Sequence, residues 1–200
     1  MKQFKNILFV IDPREHCRAV LERAVALAEN NQAELTVVDV VPLIPVAYGL
    51  PEGGAISADL GAALAAEQAQ RLETLVAPFR ARVDIHTNVL AGTPFLEIIR
   101  AVLRHRHDLV IRPPEEPGWF DRLFGSDDMH LLRKCPCPVW LVQCEAPKAY
   151  RRILAAVDVD DSYPPEEVEV RHAMNREVLA LAGALALSEF AELHVAHVWD

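Results

Sequence analysis

Residues with the chemistry to bind an anion follow an apolar run of strand length, His107–Arg112. After a turn-rich segment, Gly125 and Ser126 lead into Asp127–Lys134, which has acids at its start and bases at its end, as helices do. In an open α/β sheet, backbone N–H groups are presented to phosphate by a strand that is followed by a loop, a Gly-Ser pair and a helix. Three loop positions, however, lack an N–H group: Pro113, Pro114 and Pro117. The pattern predicts the scaffold of a phosphate site with few of its donors.

The charges in this segment also oppose a phosphate ligand. Two acids lie in the loop and two in the first turn of the helix: Glu115, Glu116, Asp127 and Asp128. The loop acids would repel a triphosphate, and the helix acids already satisfy the helix dipole. Arg112 can contact a phosphate, but one cation among these acids is weak compensation. Ser126 fits either an N-cap of the helix or a residual phosphate contact.

A Cys-Pro-Cys run at residues 135–137, with His130 nearby, is the second group with binding chemistry. A zinc site needs three or four converging ligands, and no second Cys or His pair of familiar spacing is present. The alternative is that Cys137 and Cys144 are small buried apolar side chains at the ends of a strand. The spacing favours this alternative over a metal site.

No pattern typical of nucleophilic catalysis is found. The chain has no Gly-x-Ser-x-Gly elbow and no Cys/His pair with an orienting acid. We therefore expect a protein that is not an enzyme.

Composition narrows the class of protein further. A net charge of −9 over 200 residues argues against a nucleic-acid surface, which needs clustered Lys and Arg. No apolar run reaches the roughly 18 residues of a membrane-spanning helix. The four cysteines lie in or beside predicted buried elements, which suits a reducing cytosol better than a disulfide framework. We expect a cytoplasmic protein with no membrane or nucleic-acid partner.

Strand and helix patterns alternate along the first 143 residues. Apolar runs predict strands at 7–11, 35–41, 83–90, 107–112 and 139–142, and helical periodicity predicts helices from Asp12, over 59–79, from Thr93 and over 127–134. Residues 42–57, rich in proline and glycine, are predicted to form a long loop. The order predicts a doubly wound, five-stranded parallel sheet with right-handed crossovers. Apolar and polar residues alternate in Val83–Leu90, which predicts that this strand lies at an edge of the sheet.

The start of this pattern is repeated after residue 150. Lys5–Asp12 is echoed by Arg151–Asp158, and Ala33–Val40 by Ala191–Val198. The offsets are 146 (153 − 7) and 158 (193 − 35), so twelve additional residues lie in between. The repeat predicts a first domain over 1–146 and, over 151–200, an incomplete second copy that stops after its second strand.

Four segments resemble the universal stress protein family: Phe9–Pro13, Gly125-Ser126, His130–Pro136 and Pro138–Trp140. The internal repeat resembles the tandem-domain members of that family. The resemblance implies the adenine-nucleotide alpha-hydrolase-like fold, with strand order 3-2-1-4-5 and frequent pairing of two copies. Many members bind ATP with a Gly-x-x-Gly, nine-residue spacer, Gly-Ser/Thr pattern and an Asp that ends the first strand. Here the two earlier glycines fall on Arg112 and Glu115.

The resemblance therefore implies a vestigial ATP site made of Asp12, Val40, Arg112, Gly125 and Ser126. We expect a tandem stress-response protein that binds and regulates without catalysis, holds no cofactor and forms a homodimer or otherwise self-associates. One alternative is an ATP-binding, slowly ATP-hydrolysing switch that uses Arg112, Gly125 and Ser126. A second is a metal-binding regulator that uses His130 and the Cys-Pro-Cys run.

Overall fold

The computed structural model describes residues 4–11, 18–41, 55–115, 126–145, 149–160 and 162–197, with the backbone alone for 55–58. The chain divides into two compact units. The larger unit is Phe4–Ala146, and the smaller one is made mainly of Pro147–Asp200.

Strands and helices alternate in the larger unit. Its strands are β1 Asn6–Val10, β2 Glu34–Val41, β3 Ile85–Ala91, β4 Leu109–Arg112 and β5 Val139–Leu141. Its helices are α1 Arg18–Asn31, α2 Ala55–Val76, α3 Pro94–His105 and α4 Asp127–Lys134, with a 3-10 turn at Ala77–Phe79.

The five strands form one parallel sheet in the order β3-β2-β1-β4-β5. The central strand β1 places Ile7 opposite Leu35 of β2 and Leu109 of β4. This confirms the predicted doubly wound fold and its strand order. The alternating strand β3 is at the edge, as its sequence pattern predicted.

An apolar cluster joins the helices α3 and α4 to this sheet. We call it the core cluster; its buried members are Leu8, Val10, Val38, Ile98, Ala101, Val102, Val110 and Leu131. Leu131 is fully buried and is the member that α4 contributes. Burial of a leucine side chain is worth about 2 kcal/mol, so this contact holds α4 against the ends of the central strands.

The predicted loop over residues 42–57 is wrong at its end, because α2 already begins at Ala55. Once Gly53 and Gly54 are passed, the run Ala-Ile-Ser-Ala contains no residue that breaks a helix. The remainder of that loop, and the predicted start of the first helix at Asp12, lie outside the described residues.

The smaller unit consists of β6 Arg152–Ala156, α5 Pro165–Glu189 and β7 Glu192–Ala196, and its two strands are parallel. No helix in the described part of the chain, α5 included, has the length and apolar character needed to cross a membrane.

The pairing of β6 with β7 has the same register as the pairing of β1 with β2. Ile153 lies opposite Leu193, just as Ile7 lies opposite Leu35. Equivalent backbone hydrogen bonds, all of 2.9 Å, flank the two pairs: Ile11 to Val38, Val157 to Ala196, Glu34 to Lys5 and Glu192 to Arg151. A left-handed residue follows the helix in both units, at Gln32 and at Phe190.

His107, which precedes β4, is a buried histidine with a single hydrogen bond from its ring. It is 5% exposed, and its Nδ1 donates to Asn6 Oδ1 at 2.6 Å. Its Nε2 has no hydrogen-bond partner among the described residues. Burial and then the charge of the neighbouring His105 lower the pKa of His107 from 6.5 to about 4. His107 is therefore neutral in the folded chain at neutral pH.

Acidification is expected to destabilise the larger unit through His107. Because the folded-state pKa lies below the unfolded value, the unfolded chain binds a proton between pH 6.5 and about 4 that the folded chain does not bind. The stabilisation is complete above the unfolded pKa and is lost as the pH falls. Urea unfolding should show a loss of about 2 kcal/mol in the free energy of unfolding between about pH 7.5 and about pH 5.

The variant His107→Gln should lose this pH dependence. His86→Gln on β3 is the matched control, since the side chain of His86 is 61% exposed, and it should keep the dependence. Equal pH dependence in His107→Gln and in the unaltered chain would contradict the assignment.

Candidate functional site

The strand β4 ends with a buried arginine at the carboxyl edge of the sheet, where open α/β sheets bind their ligands. Arg112 is 4% exposed, and its carbonyl oxygen accepts the N–H of Val142 at 2.9 Å. The central position of β4, between β1 and β5, removes the guanidinium from water. A buried charge of this kind needs an anion close by.

Asp128 is that anion. The Nε of Arg112 lies 3.2 Å from Asp128 Oδ1, and Arg112 Nη2 lies 3.5 Å from Glu115 Oε1. Arg112 Nε also donates to the carbonyl oxygen of Pro113 at 3.2 Å. We call Arg112, Glu115 and Asp128 the ion cluster. Two carboxylates therefore surround one guanidinium at the end of β4.

Asp128 also connects the loop after β4 to α4. It is 7% exposed, and its Oδ2 accepts the backbone N–H of Glu115 at 2.7 Å. Its position in the first turn of α4 adds a favourable interaction with the helix dipole. One carboxylate thus forms an ion pair with the guanidinium, accepts a loop N–H and lies at the positive end of a helix, which are the three interactions that a phosphate would make.

Ser126 caps α4, which is one of the two roles that the sequence allowed. Its backbone is extended, and its Oγ accepts the N–H of Met129 at 3.2 Å. The carbonyl oxygen of Ser126 accepts the N–H of His130 at 3.1 Å. The hydroxyl is therefore committed to the helix N-terminus in this structure.

The structure places the predicted site residues in different surroundings. Arg112 lies at the carboxyl end of β4, and Ser126 is the N-cap of α4, whose first turn contains Asp128. Val40 is partly buried and packs against the core cluster at the end of β2. Asp12 and Gly125 lie outside the described residues. Asp128 is the residue that the sequence interpretation missed, because it was assigned only to the helix dipole. Its position two residues after Ser126 was the sequence feature that could have indicated a role in the site.

The second binding motif is a pair of free thiols. The sulfur atoms of Cys135 and Cys137 are 3.7 Å apart, and both residues are partly exposed. His130, proposed as their co-ligand, stacks on Phe95 with 4.8 Å between the ring centroids. Within the described residues no group of three or more His, Cys, Asp or Glu is arranged to hold a metal ion.

The prediction that Cys137 and Cys144 are buried is wrong, since both are partly exposed, although Cys137 does pack against the core cluster. Cys137 is partly exposed because it lies in the turn between α4 and β5. Cys144 is disulfide-bonded.

Comparison with known proteins gives one consistent family. A family model described as "Universal stress protein family" matches residues 3–143. "Universal stress protein E" of Escherichia coli (strain K12) is 28% identical over 206 aligned residues, which cover 92% of this chain and 62% of that protein. The chain spans about three fifths of the length of the curated relatives that it matches.

Solved structures show the same fold. A universal stress protein from Archaeoglobus fulgidus DSM 4304 superposes with a TM-score of 0.70 and 19% identity, covering 99% of this chain and 67% of that one. A universal stress protein in complex with cAMP gives a TM-score of 0.51 and 16% identity, covering 72% of this chain and all of that one. At these identities the likeness establishes the fold alone.

Removal of the Asp128 charge is expected to destabilise the larger unit strongly. Among the described residues, Asp128→Asn leaves the buried guanidinium of Arg112 with Glu115, at 3.5 Å, as its remaining counter-ion. Loss of one partner from a buried ion pair costs about 3 kcal/mol or more. Urea unfolding of the variant and the unaltered chain at neutral pH measures the difference.

Asp127→Asn is the matched control, because it removes a charge of the same sign from the same helix turn, and Asp127 is not a member of the ion cluster. Its expected cost is smaller than that of Asp128→Asn, because Asp127 is only partly buried. Equal losses in the two variants would mean that Asp128 acts on the dipole alone.

Proposed function

The chain belongs to the universal stress protein family, and on this basis we propose that it is a stress-response protein that acts by binding and by contacts between copies, without catalysis. Its larger unit serves as a module with a degenerate nucleotide site. The observation that carries this proposal is the ion cluster, in which Asp128 occupies the position beside Arg112 and the Glu115 N–H that a phosphate would need.

Asp128 and the phosphate of a nucleotide would compete for the guanidinium of Arg112, and the competition favours Asp128. A phosphate that took the place of Asp128 beside Arg112 would have to displace a carboxylate held by the guanidinium at 3.2 Å and by the Glu115 N–H at 2.7 Å. Asp128 is part of the chain and therefore loses no translational freedom when it binds, whereas a free ligand does. Glu115 adds a negative charge within 3.5 Å of the same guanidinium.

The loop after β4 differs from what a nucleotide-binding loop requires. One universal stress protein with the same fold has been crystallised with cAMP. In this chain, Pro113 and Pro114 follow Arg112 directly, so two successive positions have no backbone N–H for a phosphate. The proposal is that the fold is kept here while the ligand is replaced by an internal ion pair.

The smaller unit is proposed to be a partial second copy of the same βαβ unit, which makes this a tandem protein. Its support is the shared register, Ile153 with Leu193 and Ile7 with Leu35, together with the equivalent backbone hydrogen bonds on both sides of each strand pair. The shared register and the equivalent flanking hydrogen bonds are the features expected of two copies of one βαβ unit.

The smaller unit also supports self-association. Parallel strands are normally covered on both faces, yet Leu154 on one face of the β6–β7 pair is 69% exposed and Val195 on the other is 56% exposed. Phe190, between α5 and β7, is 96% exposed. Apolar side chains in such positions favour contact with another copy.

An ATP-dependent switch is the second candidate, and one observation favours it. The Nη1 of Arg112 is buried and has no hydrogen-bond partner among the described residues. A phosphate oxygen would satisfy this donor without breaking the contact between Arg112 Nε and Asp128.

Calorimetric titration with Mg-ATP distinguishes the two candidates. For the degenerate site we expect no saturable heat, which corresponds to a Kd above about 1 mM. Micromolar binding that is weakened at least about tenfold in Arg112→Met would overturn the proposal in favour of the switch. Circular dichroism of Arg112→Met checks that this variant is folded.

Self-association is tested by light scattering at concentrations on the order of tens of micromolar. The unaltered chain should have at least the molecular mass of a dimer. The double variant Leu154→Lys and Val195→Lys should have a molecular mass closer to that of the monomer. Leu103→Lys is the control, since Leu103 is 64% exposed on α3 of the larger unit. A strictly monomeric unaltered chain would contradict this part of the proposal.

A further inference from the structure

The Cys-Pro-Cys segment places two thiols side by side at the end of α4 remote from the ion cluster. The sulfur atoms of Cys135 and Cys137 are 3.7 Å apart, the contact distance of a thiol–thiol hydrogen bond. Both thiols are free and partly exposed, and Pro136 between them is exposed. The eight residues of α4 separate the pair from Ser126 by about 12 Å along the helix axis.

The backbone on each side of this pair is held in place. The N–H of Cys135 donates to the carbonyl oxygen of Leu131 at 2.9 Å, which completes the end of α4. The carbonyl oxygen of Pro138 accepts the N–H of Val110 at 3.0 Å, which begins the pairing of β5 with β4. Both cysteines also pack against the core cluster. The fold therefore keeps the two thiols close together.

The two thiols differ chemically. The hydrogen bond from Cys137 lowers the pKa of Cys135 to about 7, so a large fraction of Cys135 is thiolate at neutral pH. The same hydrogen bond, with burial and the charges of Cys135 and Asp108, raises the pKa of Cys137 above its ordinary value. One thiol is thus a nucleophile, and the other holds its proton beside it.

We propose that Cys135 and Cys137 form a redox-active dithiol whose substrates are low-molecular-weight disulfides. The thiolate of Cys135 attacks one sulfur of the small disulfide, forms a mixed disulfide and releases the first small thiolate. Cys137 then gives up its proton and attacks the sulfur of Cys135, which releases the second small thiol. One disulfide bond is broken and one is formed, and two electrons pass from the protein to the small molecule.

The geometry suits this reaction better than metal binding. The sulfur atoms have to approach by about 1.7 Å to reach a disulfide bond length of about 2.0 Å. A stable zinc site would instead need at least one further ligand, and no such group is arranged near the pair among the described residues. The proposal stands apart from the nucleotide site and does not depend on it.

The test is incubation of the fully reduced chain with oxidised glutathione at neutral pH, followed by blocking of free thiols and mass spectrometry. Cleavage after Lys134 and after Trp140 isolates residues 135–140, which contain Cys135 and Cys137 and neither of the other two cysteines. The expected product is this peptide with an internal disulfide and no attached glutathione. A peptide that keeps glutathione, or that carries two blocked thiols, would overturn the proposal.

Two single variants separate the roles of the thiols. Cys137→Ser should retain one glutathione on Cys135, because no second thiol is present to release it. In Cys135→Ser the remaining thiol of the pair is Cys137, which is less acidic than Cys135. This variant should therefore react with oxidised glutathione at least about threefold more slowly at the pair than the unaltered chain does. Equal rates in Cys135→Ser and the unaltered chain would contradict Cys135 as the nucleophile. Matching circular dichroism spectra show that the variants are folded.

Discussion

A buried guanidinium imposes the constraint on which the carboxyl edge of the larger sheet depends. Because β4 is an interior strand, between β1 and β5, and ends in Arg112, the charge of Arg112 lies in the interior and has to be neutralised there. Asp128 supplies the anion, and its position requires that α4 begin beside the end of β4. The backbone N–H of Glu115 donates to the same carboxylate, so the loop after β4 is held by the same interaction.

The smaller unit has a comparable arrangement at the end of its first strand. Asp158, which follows β6, forms an ion pair with Arg171 of α5. Its backbone N–H donates to Asn175 Oδ1 at 3.0 Å, and the Asn175 amide donates back to the Asp158 carbonyl oxygen at 2.5 Å. In both units, therefore, an arginine and an aspartate form an ion pair where this fold class ordinarily presents polar groups to a ligand.

Much of the fold could be predicted from the sequence, because continuous apolar strands alternate with amphipathic helices and this pattern is specific to parallel sheets. The ion cluster could not be predicted. Arg112 and Asp128 are separated by a proline-rich loop, and whether Asp128 serves the helix dipole or the guanidinium depends on burial that no local pattern encodes. The same holds for the burial of His107, which contacts Asn6, a residue 101 positions earlier, and for the partial exposure of Cys137, which lies in the turn before β5.

Nuclear magnetic resonance of the arginine Nε–H groups tests the central claim most directly, namely that Arg112 is committed to Asp128. In the unaltered chain the Arg112 Nε–H signal should be protected from exchange with water and unchanged by excess Mg-ATP. Its chemical shift should change in Asp128→Asn, because the carboxylate oxygen 3.2 Å from Arg112 Nε loses its charge. An Arg112 signal that exchanges freely, or that moves on addition of Mg-ATP, would show that the guanidinium is available to a ligand and would contradict this account.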